Sequence, residues 1–453
     1  MLSRTRPTSR QFRTVTRPMI FFFLTWAASG MLMAQTPISG INWFPIGPAD
    51  VSNGQTYGTG RPNVSGRATV ITVNPKNPSD VWLGTATGGV WHSTNGGVNW
   101  LPMSDNEASL SIGAIVLDGC NVAGCAVVYA GTGENSIRRD TYYGMGLLVG
   151  TTSGGEFPTF GWTLQGATIF KFASINNVVL DPNTSGATKV VYVTLSSGET
   201  ASATESTVTA PAPPQGFGIF KSTNNASTWT KLSVPGGDGF KPTDLEMDPT
   251  NSQILYAGFM GRGVFKTQDG GAHWCPLNPG LALPPGCVAA TGLPNPTSTT
   301  FDHVQIAISP PSAGSPVIYV EQANCTSFIL DSCQPSIFKS TNGGSTWTQV
   351  SATTGACKAL SVYSRYTHGL TIDPKNSSTL FLGGVYLYKS TDGGNTFCDV
   401  GTNTVHPDHH AIAYPDGNNE SLVFDVSDGG FATSNDAGNT WNSGNSDLQI
   451  TPL

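Results

Sequence analysis

Charged residues are scarce in this chain. They make up only 11% of its 453 residues, so it has little material for the charged faces of surface helices. Turn-forming residues are abundant instead, with 54 glycines and 31 prolines. Hydrophobic residues account for 38% of the chain, which is enough for a real core and argues against wholesale disorder. This composition favours an all-β fold of one large or two ordinary domains.

Basic residues are also few, and five arginines fall within the first 17 residues. These arginines and the apolar run from Met19 to Ala34 give residues 1–34 the pattern of a secretory signal. The run is about 16 residues long, which is short for a membrane span, although an uncleaved anchor is the alternative. Without this segment, 17 of the 22 basic residues remain against 29 acidic ones, which gives a net charge of −12.

This charge balance argues against nucleic acid and anionic membrane surfaces as partners. We therefore predict an exported protein, secreted or periplasmic, that does not insert into a membrane after the signal is removed. We also expect a monomer whose ligand is an extracellular glycan or protein.

No CxxC pair occurs, so the spacing typical of structural zinc sites is missing. All eight cysteines follow the predicted signal, and export makes disulfides the default. Nearest-neighbour pairing would close three loops, through Cys120–Cys125, Cys275–Cys287 and Cys325–Cys333. The fourth pair, Cys357–Cys398, would join the two ends of one repeat. Eight cysteines allow 105 connectivities, so this pairing is one hypothesis among many.

One short phrase, Ser/Thr-x-Asp/Asn-x-Gly-x-x-aromatic, recurs along the chain. We call each copy a box turn, and the six copies begin at Ser93, Ser222, Thr267, Ser340, Ser390 and Ser434; the Ser222 copy has Ala226 in place of the glycine. The Asp or Asn side chain should accept hydrogen bonds from backbone N–H groups, while the glycine takes the left-handed conformation. The aromatic residue then enters a strand and buries a large surface.

Two apolar strands joined by a short turn precede the box turns, as in residues 68–75 and 80–84. With one strand entering and one leaving the box turn, each repeat supplies four strands. Seven such units begin near Gly66, Ser111, Ser174, Thr243, Asp302, Thr367 and Asp408. Such a unit cannot bury its faces alone, so we predict a β-propeller of seven four-stranded blades. A sandwich is the alternative, but it does not predict a repeated turn.

Residues 448–453 look like the start of another unit. Either the two ends of the chain pair with each other, or the chain is truncated. We therefore predict a propeller over residues 42–453, after the signal at 1–34.

The six box turns resemble those of the Asp-box, or bacterial neuraminidase repeat, propellers. This group includes sialidases, xyloglucanase-type glycoside hydrolases and the luminal propeller of sortilin. The resemblance spans roughly residues 42 to 447 and extends to the segments 84–91 and 129–135. It implies that the box turns lie on the outer rim, between the third and fourth strands of each blade. Asp269, Asp392 and Asp436 are therefore expected to be structural rather than catalytic.

The catalytic residues of these enzymes are not recognisable here. Sialidases bind the substrate carboxylate with three arginines, but no Arg-Ile-Pro motif is present and only six arginines follow the signal. Xyloglucanase-type enzymes carry an acidic residue two positions before the Gly-Gly of the 84–91 segment, where this chain has Ala86. The resemblance thus implies a glycan-directed propeller, hydrolase-like or carbohydrate-binding, and leaves enzyme activity open. A non-enzymatic, peptide-binding propeller of the sortilin type is the second hypothesis.

Propeller geometry places the starts of the inner strands and the ends of the second strands on one face, around the channel mouth. A glycosidase needs two carboxylates about 5 to 10 Å apart, and the candidates at these positions are Glu134, Glu321 and Asp408. The candidate ligand-binding residues are Arg67, Arg262, His303, His368, His409 and His410. Nearby tyrosines, among them Tyr142 and Tyr366, are candidates for stacking on sugar rings. Ordinary polar lining of a wet channel is the competing interpretation.

The segment from His406 to His410 holds four titratable side chains in five residues. Histidine and carboxylate at alternate strand positions share one face, which suits a metal ion. No second ligand motif stands elsewhere, so we favour a hydrogen-bonded polar loop and expect neither a metal nor a cofactor.

Overall fold

The chain folds into seven four-stranded antiparallel sheets, each built from four consecutive strands. A computed structural model describes residues 51–136, 141–152, 160–196, 213–296, 301–310, 316–324, 334–350, 357, 360–362, 366–367, 369–415 and 421–450. These residues belong to a unit that extends from Gly47 to Leu453. The predicted seven-bladed propeller is confirmed, while the predicted signal at 1–34 lies outside the described residues.

Blades 1 to 4 occupy the first part of the described chain. Blade 1 has strands β1 (Ala68–Asn74), β2 (Asn77–Thr85), β3 (Val90–Ser93) and β4 (Leu101–Pro102). Blade 2 has β5 (Ile112–Asp118), β6 (Val127–Thr132), β7 (Leu147–Thr152) and β8 (Phe160–Gln165). Blade 3 has β9 (Ser174–Leu180), β10 (Val191–Ser196), β11 (Gly218–Ser222) and β12 (Thr230–Lys231). Blade 4 has β13 (Pro242–Met247), β14 (Leu255–Phe259), β15 (Gly263–Thr267) and β16 (Trp274–Pro276).

Blades 5 to 7 complete the ring. Blade 5 has β17 (Phe301–Ile308), β18 (Ile318–Asn324), β19 (Gln334–Ser340) and β20 (Thr348–Gln349). Blade 6 has β21 (Leu370–Asp373), β22 (Asn376–Gly383), β23 (Leu387–Ser390) and β24 (Cys398–Asp399). Blade 7 has β25 (His409–Ala413), β26 (Val423–Ser427), β27 (Gly430–Ser434) and β28 (Asn442–Ser443). A one-turn helix, α1 (Ala167–Phe170), and a 3-10 turn at Gly186–Thr188 lie between strands.

The first strand of each blade lies innermost. Successive inner strands contact one another around a closed ring, in which β25 of blade 7 meets β1 of blade 1. Threonine side chains of three inner strands donate to backbone carbonyls of the next inner strand at 2.5 to 2.8 Å. These bonds run from Thr69 to Ile112, from Thr243 to Val304 and from Thr371 to Ile412. The inner edge of the ring is therefore fixed by polar contacts as well as by packing.

The box turns share one set of hydrogen bonds. In blade 6, Ser390 Oγ donates to Asp392 Oδ1 at 2.9 Å and accepts from the N–H of Gly394 at 3.0 Å. Asp392 Oδ1 also accepts from the N–H of Thr396 at 2.9 Å. Gly394 has a φ of 87°, in the left-handed region. The aromatic residue is buried in five box turns and half-buried in the sixth. The predicted hydrogen bonds are present, but Ala226 rather than a glycine takes the left-handed conformation in the Ser222 turn, with a φ of 63°.

Box turns also join neighbouring blades. In two cases a lysine and a tyrosine of one blade donate to the same carbonyl in the box turn of the next blade, at 2.8 and 3.0 Å. The groups are Lys221, Tyr192 and Gly270 between blades 3 and 4, and Lys266, Tyr256 and Gly343 between blades 4 and 5. Each ammonium also lies 5.1 to 5.4 Å from the centre of its tyrosine ring. We call this arrangement the Lys–Tyr clamp.

The seam between blades 7 and 1 is closed by the segments that flank the ring. The N–H of Ser65 donates to Gly429 O at 2.8 Å, and Asn445 Nδ2 donates to Asn63 O at 3.0 Å. The N–H of Ile450 donates to Ser65 Oγ at 3.2 Å, and the Ile450 side chain is buried in the core shared by the two blades. Residues 448–450, which resemble the start of another repeat, thus pack across this seam.

Three of the four predicted disulfides are present: Cys120–Cys125, Cys275–Cys287 and Cys357–Cys398. The fourth, Cys325–Cys333, falls outside the described residues. In the part of the chain that the structure describes, no helix is long and apolar enough to cross a membrane.

We expect two substitutions in one box turn to differ in their effect on stability. Ser390→Ala removes the acceptor of the buried Gly394 N–H and should lower the free energy of unfolding by about 1–2 kcal/mol. Asp392→Asn keeps the Oδ1 acceptor, so its effect should stay within about 0.5 kcal/mol. The Thr396 hydroxyl donates to Asp392 in the wild type and would accept from the side-chain amide in the variant. Thr346 accepts in this way from Asn342 Nδ2, at 2.8 Å, in the box turn of blade 5. Urea unfolding followed by tryptophan fluorescence measures both, and equal losses would contradict this account.

Candidate functional site

Arg67, which directly precedes β1, connects four segments of the ring. Its Nε lies 3.2 Å from Glu134 Oε1 and 4.0 Å from Asp428 Oδ1, and its Nη1 donates to Tyr366 Oη at 2.8 Å. Glu134 and Asp428 follow second strands, and Tyr366 precedes an inner strand. These are the positions that the sequence assigns to the channel mouth. Together with His410 we call these side chains the mouth cluster.

The acidic centre of the mouth cluster is Asp428. Its Oδ1 lies 2.8 Å from His410 Nε2 and accepts from Tyr366 Oη at 2.6 Å. Burial pushes the pKa of Asp428 upward, but the hydrogen bond and charge of His410 and the bond from Tyr366 outweigh it and lower the pKa. Asp428 is therefore a carboxylate at neutral pH, and its side chain is 25% exposed.

Tyr366 serves as a bridge within the mouth cluster. Burial, followed by the negative charge of Asp428, raises the pKa of Tyr366, so its phenol is hard to ionise and is a poor nucleophile. The side chain is only 5% exposed, and the Arg67 guanidinium lies 5.2 Å from the ring centre. The prediction that Tyr366 stacks on a sugar is therefore wrong, because its ring is covered by its own cluster.

Glu134 positions an exposed aromatic ring at the mouth. Its Oε2 accepts from the N–H of Tyr142 at 2.9 Å, and its own N–H donates to Tyr142 O at 3.0 Å. Glu134 is fully buried, whereas Tyr142 is 46% exposed. The Arg67–Glu134 ion pair therefore fixes the backbone that presents the Tyr142 ring to solvent.

The polar segment from His406 to His410 divides between two environments. Asp408 is half-buried, has a φ of 65°, and its carbonyl accepts from the N–H of Asp428 at 3.1 Å, so it borders the mouth cluster. His409 instead pairs with Asp425 inside blade 7, with Nδ1 2.9 Å from a carboxylate oxygen and both side chains 1% exposed. Within the described ranges, no three His, Cys, Asp or Glu side chains are placed to hold a metal ion.

Glu321 and His303 belong to a second polar group, in blades 4 and 5. Glu321 is placed by sequence at the end of a second strand, but β18 continues to Asn324, so the residue lies inside the strand and that placement is wrong. Burial and the charge of Asp244 raise the pKa of Glu321 to about 8, and its Oε1 is buried without a hydrogen-bond partner. Burial lowers the pKa of His303 to about 3. Both side chains are therefore predominantly neutral at pH 7.

Arg262 lies in the loop between β14 and β15, apart from both groups. Its guanidinium carbon is 3.9 Å from the centre of the Phe240 ring. Its Nε is buried and has no hydrogen-bond partner. His368, the remaining candidate, lies outside the described residues.

Sequence reasoning missed one aromatic pair on the mouth face. Tyr57 is 45% exposed, and its ring centre lies 4.5 Å from that of Tyr386, which follows the second strand of blade 6. The N–H of Thr59 donates to Asn403 Oδ1 at 3.0 Å and fixes the Tyr57 loop. The position of Tyr386 after a second strand is a usable sequence signal. Nothing local indicates Tyr57, because its contact joins segments more than 300 residues apart.

Comparison with known proteins defines the structural class. No family model matches the chain. A xyloglucanase from a Paenibacillus species is 32% identical over 146 residues, which cover 29% of this chain and 13% of that enzyme.

Three solved propeller enzymes share the fold. A GH74 enzyme from Niastella koreensis superposes with a TM-score of 0.55 at 16% identity, over 88% of this chain and 56% of the other. A GH74 xyloglucanase from Xanthomonas campestris gives a TM-score of 0.54 at 13% identity, with the same coverage. An ancestral GH74 enzyme gives 0.57 at 18% identity, over 86% and 48%. The chain thus shares the β-propeller fold of these enzymes, and it spans about half the length of these structures.

Residues 84–91, the segment compared above with xyloglucanase-type enzymes, lie beside Arg67. The N–H of Ala86 donates to Arg67 O at 3.1 Å, and the Ala86 methyl group is buried. The position at which the resemblance implies an acidic residue therefore borders the mouth cluster, but it offers no proton.

The raised pKa of Glu321 predicts a specific pH dependence of stability. Its ordinary value is 4.5 and its folded value is about 8, so the folded state binds this proton more tightly than the unfolded chain. The stabilisation is complete below pH 4.5 and is lost as the pH rises toward 8. Glu321→Gln should therefore unfold like the wild type at pH 4 and about 5 °C higher at pH 9. Calorimetry at both pH values tests this, and a destabilised variant at pH 9 would refute it.

Proposed function

We propose that this chain is an exported, glycan-directed propeller that binds carbohydrate at the channel mouth. The observation that carries the proposal is the exposed Tyr142 ring, held in place by the buried Arg67–Glu134 ion pair. The secretory pattern of residues 1–34 and the disulfides support export. The shared hydrogen bonds of the six turns support their assignment as Asp boxes.

The mouth offers two kinds of contact that suit a sugar. An exposed tyrosine ring can cover the apolar face of a pyranose while its hydroxyl hydrogen-bonds at the edge. The Asp428 carboxylate, ionised and partly exposed, accepts hydrogen bonds from sugar hydroxyls. A mouth with an ionised carboxylate that accepts hydrogen bonds from hydroxyl groups favours a glycan over the apolar peptide segment expected for the sortilin-type alternative.

The candidate carboxylates fit binding better than hydrolysis. Glu134 is fully buried and paired with Arg67, so it is not available for proton transfer to a substrate. Glu321 lies in the other polar group. Asp408 and Asp428 remain as a pair at the mouth, and their adjacency is the one observation that favours a glycoside hydrolase as the second candidate function. A hydrolase would still need a protonated acid, whereas the pKa of Asp428 is lowered.

Retention of the protein by polysaccharides in native gels tests the proposal. A panel of soluble polysaccharides, including xyloglucan, should retard the wild-type protein. Tyr142→Ala should weaken retention about tenfold through the lost stacking surface. His273→Ala is the matched control, because it removes an exposed ring on a box turn and should leave retention unchanged.

A parallel screen on chromogenic glycosides separates binding from catalysis. Turnover that disappears in Asp408→Asn would establish the hydrolase, and retention without turnover would establish the binding function. Failure of every polysaccharide to retard the wild-type protein would refute the glycan proposal.

A further inference from the structure

Arg262 is a candidate on the mouth face that does not belong to the mouth cluster. It lies between the second and third strands of blade 4, the same kind of position that Glu134 holds in blade 2. The N–H of Arg262 donates to Phe259 O at 3.0 Å, and the N–H of Met260 donates to Lys241 O at 2.9 Å. These bonds fix the loop against the start of the inner strand, so the Arg262 backbone is well positioned.

The guanidinium of Arg262 is oriented but not neutralised. Its central carbon lies 3.9 Å from the centre of the Phe240 ring. Its Nε is buried without a partner, and no ion pair of Arg262 occurs within the described part of the chain. By contrast, the Nε of Arg67 pairs with Glu134, and its Nη1 donates a hydrogen bond to Tyr366. The Nε donor has no acceptor among the described residues, so the guanidinium has no neutralising partner there of the kind that Arg67 has.

The charge and fixed orientation of the Arg262 guanidinium indicate which kind of ligand it can bind. A guanidinium held on an aromatic ring keeps its planar fork in one orientation, and that fork matches the two oxygens of a carboxylate. Lys241, which directly precedes the inner strand of the same blade, is another cation, and its ammonium lies 5.5 Å from the centre of the Phe217 ring. Burial lowers the pKa of Lys241 to about 8, which still leaves it predominantly charged at neutral pH. The nearby Asp238 uses both oxygens within its own loop, on the N–H of Val234 and the hydroxyl of Ser233.

We propose that Arg262 binds a carboxylate of the glycan, so that the ligand of this propeller is an acidic polysaccharide containing uronic acid residues. This inference rests on the proposed function and names its substrate class. The mouth is then bipolar, with cationic groups at blade 4 and the Asp408 and Asp428 carboxylates at blade 7. A uronate carboxylate is attracted to the first side and repelled from the second, so it should lie at blade 4.

Paired polysaccharides that differ only in charge test the inference. Polygalacturonate, alginate and hyaluronan are each compared with their carboxyl-reduced forms by retention in native gels. The wild-type protein should bind at least one acidic polymer about tenfold more tightly than its reduced partner. Arg262→Gln should abolish this preference while leaving retention by the reduced form unchanged. Lys76→Gln, which removes one exposed positive charge from the turn between β1 and β2, should leave the preference intact.

A second variant and a folding check keep the result interpretable. Arg262→Lys keeps the charge but not the fork, so it should also reduce the preference for the acidic polymer. Thermal unfolding of each variant confirms that the propeller is intact.

The possible outcomes separate the two proposals. Equal retention by acidic and reduced polymers, or an acidic preference that survives Arg262→Gln, would overturn this inference. Retention of the reduced polymer that depends on Tyr142 would leave the proposed function standing in that case. No retention by any polysaccharide, or binding of an acidic peptide alone, would overturn both.

Discussion

The closed ring depends on hydrogen bonds that cross from one blade to the next. In the Lys–Tyr clamp, the carbonyl of Gly343 in one box turn accepts from Lys266 and Tyr256 of the preceding blade. Burial lowers the pKa of Lys266, so the bonds to the carbonyl must offset the lost hydration of its ammonium group. The box turn therefore does more than reverse the chain, because it also bonds its blade to the preceding one. The mouth cluster depends on closure of the ring, since Arg67 and Asp428 come from blades 1 and 7.

Local turn chemistry made the blade order predictable from sequence. The units were expected to start near 66, 111, 174, 243, 302, 367 and 408, and the inner strands begin at 68, 112, 174, 242, 301, 370 and 409. This agreement arises because each blade repeats the same short-range signals: two apolar strands, an Asx-type turn and a buried aromatic residue. Three disulfides were also predictable, because two join cysteines across a short loop and the third joins the two ends of one repeat.

The composition of the site was less predictable because it depends on contacts across the ring. Glu134 and Glu321 look equivalent in sequence, but one meets Arg67 and the other lies inside a longer strand near Asp244. Burial determines the roles of two further candidates, since it keeps His303 neutral and covers the ring of Tyr366. His409 and His410 are neighbours in sequence, but they meet different aspartates, and the β25–β26 register shifts between His409 and Ala411. None of these outcomes has a local signal.

The two arginines of the mouth face show how structural and ligand-binding roles differ. Arg67 and Glu134 form a buried pair, and removing either partner leaves an uncompensated charge in the ring, which destabilises the fold itself. Loss of function at these two positions is therefore ambiguous. Arg262 is half-buried, stacked and without an ion pair among the described residues, so its removal leaves no orphaned carboxylate behind. At Tyr142 and Arg262, the effect of a substitution on ligand binding can therefore be separated from its effect on stability. The fold orients the Tyr142 ring and the Arg262 guanidinium but leaves both able to contact a ligand.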